Sequence, residues 1–102
     1  MTAQGSPLTR YRRAIESGSL RLAELAAREA TYLSLPDALR LLVLYAAADD
    51  PKYARASARW LARLGLEKPD LGLAEMQLAG AALAVLPARG ETAMRVLTDL
   101  CR

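Results

Sequence analysis

A chain of 102 residues, 53% hydrophobic and 25% charged, has the composition of one small folded domain; it is too short for two cores and too apolar for a disordered chain. Its net charge of +3 permits an anionic partner without demanding one. The absence of His and the single Cys, Cys101, exclude an intramolecular disulfide framework and any His-based metal site.

Ala (21 copies) and Leu (20) fill about two fifths of the chain and Phe is absent, so helix is favoured over strand in nearly every window. Residues 1–6 are expected to form a flexible N-terminus, and 7–102 a single helical domain. Ser6 and Pro7 read as N-cap and first helical residue of a helix that Gly18 closes. Ser19 caps a second helix, expected to run to about Leu33. Ser34 with Asp37 three positions on resembles a capping box and opens a third, to about Ala48. Asp50-Pro51 starts helix four, with Gly65 as its expected stop. Gly72 with Glu75 starts helix five, which Pro87 ends, and Gly90 starts the last helix. No window alternates long enough for a strand. The fold expected is all-α, a compact bundle of five to six short helices.

Helix three (ALRLLVLYAAA) and helix five (LAEMQLAGAALAVL) are apolar nearly all round, which places them at the centre. Helices one, four and six are one-sided; in the last, Ala93, Val96, Leu97 and Leu100 share a face. Gly80 reads as a point of close helix packing. SLPDAL at 34–39 echoes GLAEMQ at 72–77, but a second match has a different offset, so the likeness is one of architecture, weakly solenoid-like hairpins. Four other helices, some of them short, cannot enclose two that are hydrophobic on all sides. Part of helix three or five is therefore expected to stay uncovered and to serve an interface, with a homodimer as the default.

No catalytic constellation is present. Without His, a general base near neutral pH needs a strongly shifted Glu, Asp or Lys, and the carboxylates have ordinary explanations as caps and ion pairs. P-loop, GxGxxG, GxSxG and CxxC motifs are lacking. The reading is non-enzymatic, with no cofactor, metal or catalytic residue. Glu24 has Arg21 and Arg28 at ion-pair spacing, Asp37 is a ready partner for Arg40, and Cys101 sits on the apolar side of its helix.

The most informative pattern lies on helix four, PKYARASARWLARL. Lys52, Arg55, Arg59 and Arg63 fall within about 80° of each other, one basic stripe, while Tyr53, Trp60 and Leu64 mark another face. Arg10 and Arg13 could extend the basic face. A charge run most often means a solvated face whose Arg stems cover apolar neighbours; tracking the phosphates of a nucleic acid is the sharper alternative. Tyr11, with Leu8 and Ile15, forms the stripe that docks helix one, so its ring is read as core.

The stretch SLPDALRLLVLYAAADDPKYARASARWLARLGLE and the following GLAEMQLAGAALAVLP resemble short Ala/Leu/Arg-rich helical proteins of GC-rich bacteria. The resemblance covers about residues 8–100 and rests on the D-P-x-[YF] start and the R-W-x-A-R core of helix four. It implies a free-standing small cytosolic helical protein and supplies no catalytic residue. The start MTAQGSPLTRYRR has no apolar segment after its basic residues, so it does not read as a secretory signal. The longest uncharged stretch, Met76–Ala88, is too short for a membrane span. The function expected is a self-associating protein–protein interaction module. Tyr53, Trp60 and Leu64 would be its contact residues if their face is uncovered. A small nucleic-acid-binding accessory protein is the alternative.

Overall fold

The computed structural model describes residues 5–102. It contains six helices and, among the described residues, no strand: α1 (Pro7–Ser17), α2 (Leu20–Glu29), α3 (Leu35–Ala47), α4 (Lys52–Glu67), α5 (Leu73–Val85) and α6 (Gly90–Leu100). The flexible stretch expected over 1–6 falls mostly on residues 1–4, outside the described residues.

The helices pair as three consecutive hairpins, α1–α2, α3–α4 and α5–α6, which stack in chain order into a body of 47 × 28 × 21 Å. The first two hairpins turn by the same device. Gly18 sits at φ 75° after α1, and the Ser19 N–H reaches back to the Ala14 carbonyl; Asp49 sits at φ 50° after α3, and the Asp50 N–H reaches the Tyr45 carbonyl. Both are Schellman-type stops, with a left-handed residue that lets the chain reverse at once. The starts also match the sequence reading. Ser6 and Ser19 accept the N–H groups of Thr9 and Leu22, and Asp50 Oδ1 accepts that of Lys52 at 2.9 Å. Glu75 Oε1 accepts the Gly72 N–H at 2.9 Å, half of a capping box, since glycine has no side chain to return the bond. At α3, Ser34 Oγ accepts the Asp37 N–H but donates to the Asp37 carboxylate, so the reciprocal bond runs hydroxyl to carboxylate.

Two boundaries differ from expectation. α2 ends at Glu29 rather than near Leu33: Ala30 is extended, and residues 30–34 cross from the first hairpin to the second. Thr31 and Tyr32 are weak helix formers, and Ser34 needs extended backbone to cap α3. α4 runs through Gly65 to Glu67, because Gly65 keeps negative φ and the Arg63–Glu67 pair ties the last turn. Pro69 stops it instead, forcing Lys68 out of helical geometry.

The main core joins Leu35, Leu39 and Leu42 of α3, Trp60 and Leu64 of α4, Ala79, Ala82 and Leu83 of α5, and Ala93 and Leu97 of α6. A second cluster lies within the first hairpin, around Tyr11, Ala14, Ile15, Ala23 and Ala26. α3 holds the central place foreseen for it, touching α1, α2 and α4. α5 does not: it packs on α4 and α6 from one side and leaves its outer face open. Gly80 is not a close backbone approach either. A Cβ there would meet only a Leu61 methyl, 3.7 Å away, an ordinary contact.

Polar ties fasten the first hairpin to the rest. The Tyr11 hydroxyl donates to the Asp37 carbonyl, and Arg12 donates to both oxygens of the buried Asp37 carboxylate, at 3.0 and 3.4 Å. Asp37 therefore serves α1 and not Arg40, which is exposed. Glu24 likewise turns away from its neighbours on α2. It accepts from the Tyr45 hydroxyl of α3 at 2.6 Å and from Lys52 of α4 at 2.9 Å.

Candidate functional site

The apolar face of α4 named from the sequence is covered. Trp60 is 4% exposed and Leu64 is fully buried. The Trp60 indole N–H donates to the Leu35 carbonyl at 2.9 Å, and the half-buried Tyr53 donates its hydroxyl to the Leu83 carbonyl at 2.6 Å. Burial pushes the Tyr53 phenol above its ordinary value. All three residues join α4 to α3 and α5, and the condition for using them as contact residues is not met.

The basic residues divide into three groups. Lys52 is held by Glu24, while Arg63 reaches the Glu67 carboxylate and the Leu33 carbonyl, with its guanidinium 5.0 Å from the centre of the Tyr32 ring. Arg55 and Arg59 are exposed and form no ion pair among the described residues. Arg10 pairs with Glu29 at 2.6 Å, and with Arg13 it lines a hollow between α1 and α2 in which α4 has no part. The extension of the α4 stripe by Arg10 and Arg13 is therefore not formed.

Besides the hollow between α1 and α2, where Leu22 and Leu25 are exposed, two further surfaces are open. On α5, Leu73, Leu78 and Val85 are exposed large apolar side chains, with Ala74 and Ala81 exposed between them. Part of helix three or five was expected to stay uncovered, and it is α5 that does; the uncharged run Met76–Ala88, which by itself reads as a buried helix, is covered on one side only. The second surface is a trough over α3, between α2 and α4. Three adjoining hollows share Tyr45 and Arg59, with Ala38, Leu41 and Ala56 as apolar lining and Arg28, Lys52, Arg55, Arg59 and Arg63 as cations. Arg28 had no place in the sequence-derived stripe, because its nearness to Arg59 exists only once α2 and α4 flank α3. Within this trough the Tyr45 hydroxyl, assisted by Lys52, holds the Glu24 carboxyl below its ordinary value.

Cys101 is buried, and burial raises its thiol pKa, which suits packing rather than reactivity. Among the described residues, no three acidic or Cys side chains gather into a metal-holding group, and no helix is long and apolar enough to cross a membrane. Comparisons with protein-family models, with curated proteins and with solved structures find no match to this chain.

Proposed function

We propose that the chain is a non-enzymatic protein–protein interaction module of the cytosol that self-associates through the outer face of α5. The observation that carries this reading is a stripe on that helix. Ala74, Leu78, Ala81 and Val85 are all exposed and recur at spacings of four, three and four, the seam of a helix pair. Water faces this stripe although no charge interrupts it.

The pattern fits a second copy of itself. When two α5 helices lie antiparallel about a point between Ala79 and Gly80, Leu78 meets Ala81 of the second copy and Val85 meets its Ala74. Each large side chain then opposes a small one, which allows close packing without voids. Antiparallel helices also oppose their dipoles favourably. Asp70 and Glu75 lie at the N-terminal end of α5 and Arg89 lies just past its C-terminal end, so unlike charges meet at both ends of the pair. A two-fold arrangement of this kind closes and leaves no sticky face for further growth.

Sedimentation equilibrium tests the proposal. The expected result is a particle of about 22 kDa, twice the 11.0 kDa chain, at micromolar concentrations. Leu78→Glu, at a position 49% exposed, should give a monomer with an unchanged circular dichroism spectrum. An 11.0 kDa particle for the natural chain, or a dimer that survives Leu78→Glu, would sink it.

A further inference from the structure

We infer that the trough over α3 is a docking site for an acidic peptide segment of another protein. It shares no residue with the outer stripe of α5, so the two proposals stand or fall separately.

The trough combines a floor and a rim of different chemistry. Ala38, Leu41 and Ala56 give it an apolar lining, and five cations stand around it against one lining carboxylate, Glu24. Lys52 is matched by Glu24 and Arg63 by Glu67, so the excess positive charge of the trough resides on Arg28, Arg55 and Arg59. The long-range ties that build it also keep it open. Glu24 binds Tyr45 and Lys52 and so spans α2, α3 and α4 near one end, while Arg63 clasps the Leu33 carbonyl at the other. From Lys52 to Arg63 the wall formed by α4 extends about 16 Å, room for a short segment rather than a whole domain. A preformed site loses little freedom when its ligand arrives.

The identity of the cations points to carboxylates. Arg28, Arg55 and Arg59 are exposed and enter no ion pair among the described residues, and a guanidinium donates two parallel hydrogen bonds to a carboxylate. Apolar side chains of the same segment have Leu41 and the alanines to lie on. A nucleic acid fits less well. Single strands are held by bases stacking on aromatic platforms, yet the aromatic residues that line the trough, Tyr45 and Trp60, are buried and engaged through their polar atoms, and the exposed Tyr32 ring beside it already has the Arg63 guanidinium 5.0 Å from its centre. Duplex DNA is read by a helix that enters its major groove, whereas these cations surround a hollow.

Fluorescence anisotropy with defined probes tests the assignment. One labelled peptide is built of Glu-Leu-Glu units, a second of equal charge has Ser in place of Leu, and a third probe is a thymidine oligonucleotide of similar length. The Glu-Leu peptide should bind most tightly and weaken as salt rises. The exposed pair Arg55→Ala/Arg59→Ala should lower its affinity at least about tenfold. Arg13→Ala/Arg21→Ala removes equal charge elsewhere and should leave binding within about twofold, since remote changes act nearly independently. The inference is overturned if the Glu-Leu peptide does not bind, if the Ser peptide binds as well, or if both double variants weaken binding equally. Tighter binding of the oligonucleotide overturns it in favour of a nucleic-acid groove.

Discussion

At the scale of single residues, the molecule relies on a few buried polar atoms that join hairpins otherwise held by alanine and leucine. Tyr11 is the clearest case. Its ring is fully buried and its hydroxyl donates to the Asp37 carbonyl, so burial, reinforced by the nearby Asp37 charge, pushes the phenol up to about 12. As pH rises, the unfolded chain therefore loses this proton first, from its ordinary value of 10.0. The stability contributed by neutral Tyr11 is fully present below that value and is lost as pH climbs toward about 12. Tyr45 and Tyr53 are also raised by burial and act in the same direction. Urea titrations between neutral pH and the alkaline range should show stability falling above pH 10, with a shallower fall in Tyr11→Phe. At neutral pH that variant should cost about 1 kcal/mol, the usual worth of one hydrogen bond.

Trp60 belongs to the same scale. Removing a large side chain that is 4% exposed leaves a cavity and deletes the indole hydrogen bond to the Leu35 carbonyl. Trp60→Ala should lose about 3–5 kcal/mol, a large part of a small domain's stability, whereas Trp60→Phe should retain the fold. Urea midpoints compare the two; a Trp60→Ala protein as stable as the natural chain would contradict a core role.

At the scale of elements, the helices stop and start where local chemistry tells them to. Gly18 supplies a left-handed residue with open space around it, since a Cβ there would meet nothing within 4 Å. Gly18→Ala should therefore cost about 1–2 kcal/mol from backbone strain alone, with no steric clash to add. Gly80 gives the opposite result. It lies inside α5 with helical neighbours and room for a methyl group against Leu61, so Gly80→Ala should stabilise by about 0.5–1 kcal/mol. Thermal unfolding of the two variants reads both signs. The boundaries of α2 and α4 follow from competition between signals. Pro69 overrules Gly65 as the stop of α4 because it forbids helical backbone just before it, whereas glycine only permits a left-handed turn.

At the scale of the whole molecule, the hairpins are connected by charges that cross between elements. Glu24 is 17% exposed in its side chain and joins α2 to both α3 and α4. Hydrogen bonds from Tyr45 and Lys52 hold its carboxyl below the ordinary 4.5, so in acid the unfolded chain takes up the proton first. Its contribution is present above that pH and disappears as pH falls through the depressed folded value. Glu24→Gln should lower stability at neutral pH and flatten the acid limb of the stability profile, measured by urea unfolding at successive pH values. The same residue shapes the trough. In Glu24→Gln the rim becomes more cationic while its tie to Lys52 weakens.

Much of the local structure was legible in the chain, since caps, Pro and Gly act on backbone within three or four residues. Ser6-Pro7, Ser34 with Asp37, and Asp50-Pro51 all placed helix starts, and two all-round hydrophobic helices among six implied an uncovered face on one of them without saying which. Partner choice was not legible. Glu24 has Arg21 and Arg28 within reach along its own helix, yet it binds Tyr45 and Lys52. Asp37 prefers Arg12, twenty-five residues away, to Arg40. Which cation reaches these shielded carboxylates is set by helix packing, which brings Arg12 of α1 to Asp37 and Lys52 of α4 to Glu24. Periodicity likewise separates two faces of α4 but cannot say which will be covered, because that depends on where α3 and α5 pack. The sequence by itself thus determined helix identity, most helix ends and the surplus of apolar surface, all consequences of short-range backbone and side-chain preferences. Only the tertiary structure decided that Trp60 and Leu64 are core, that α5 lies at the edge of the core, and that cations from α2 and α4 meet over α3, since each of these depends on contacts between residues far apart in the chain.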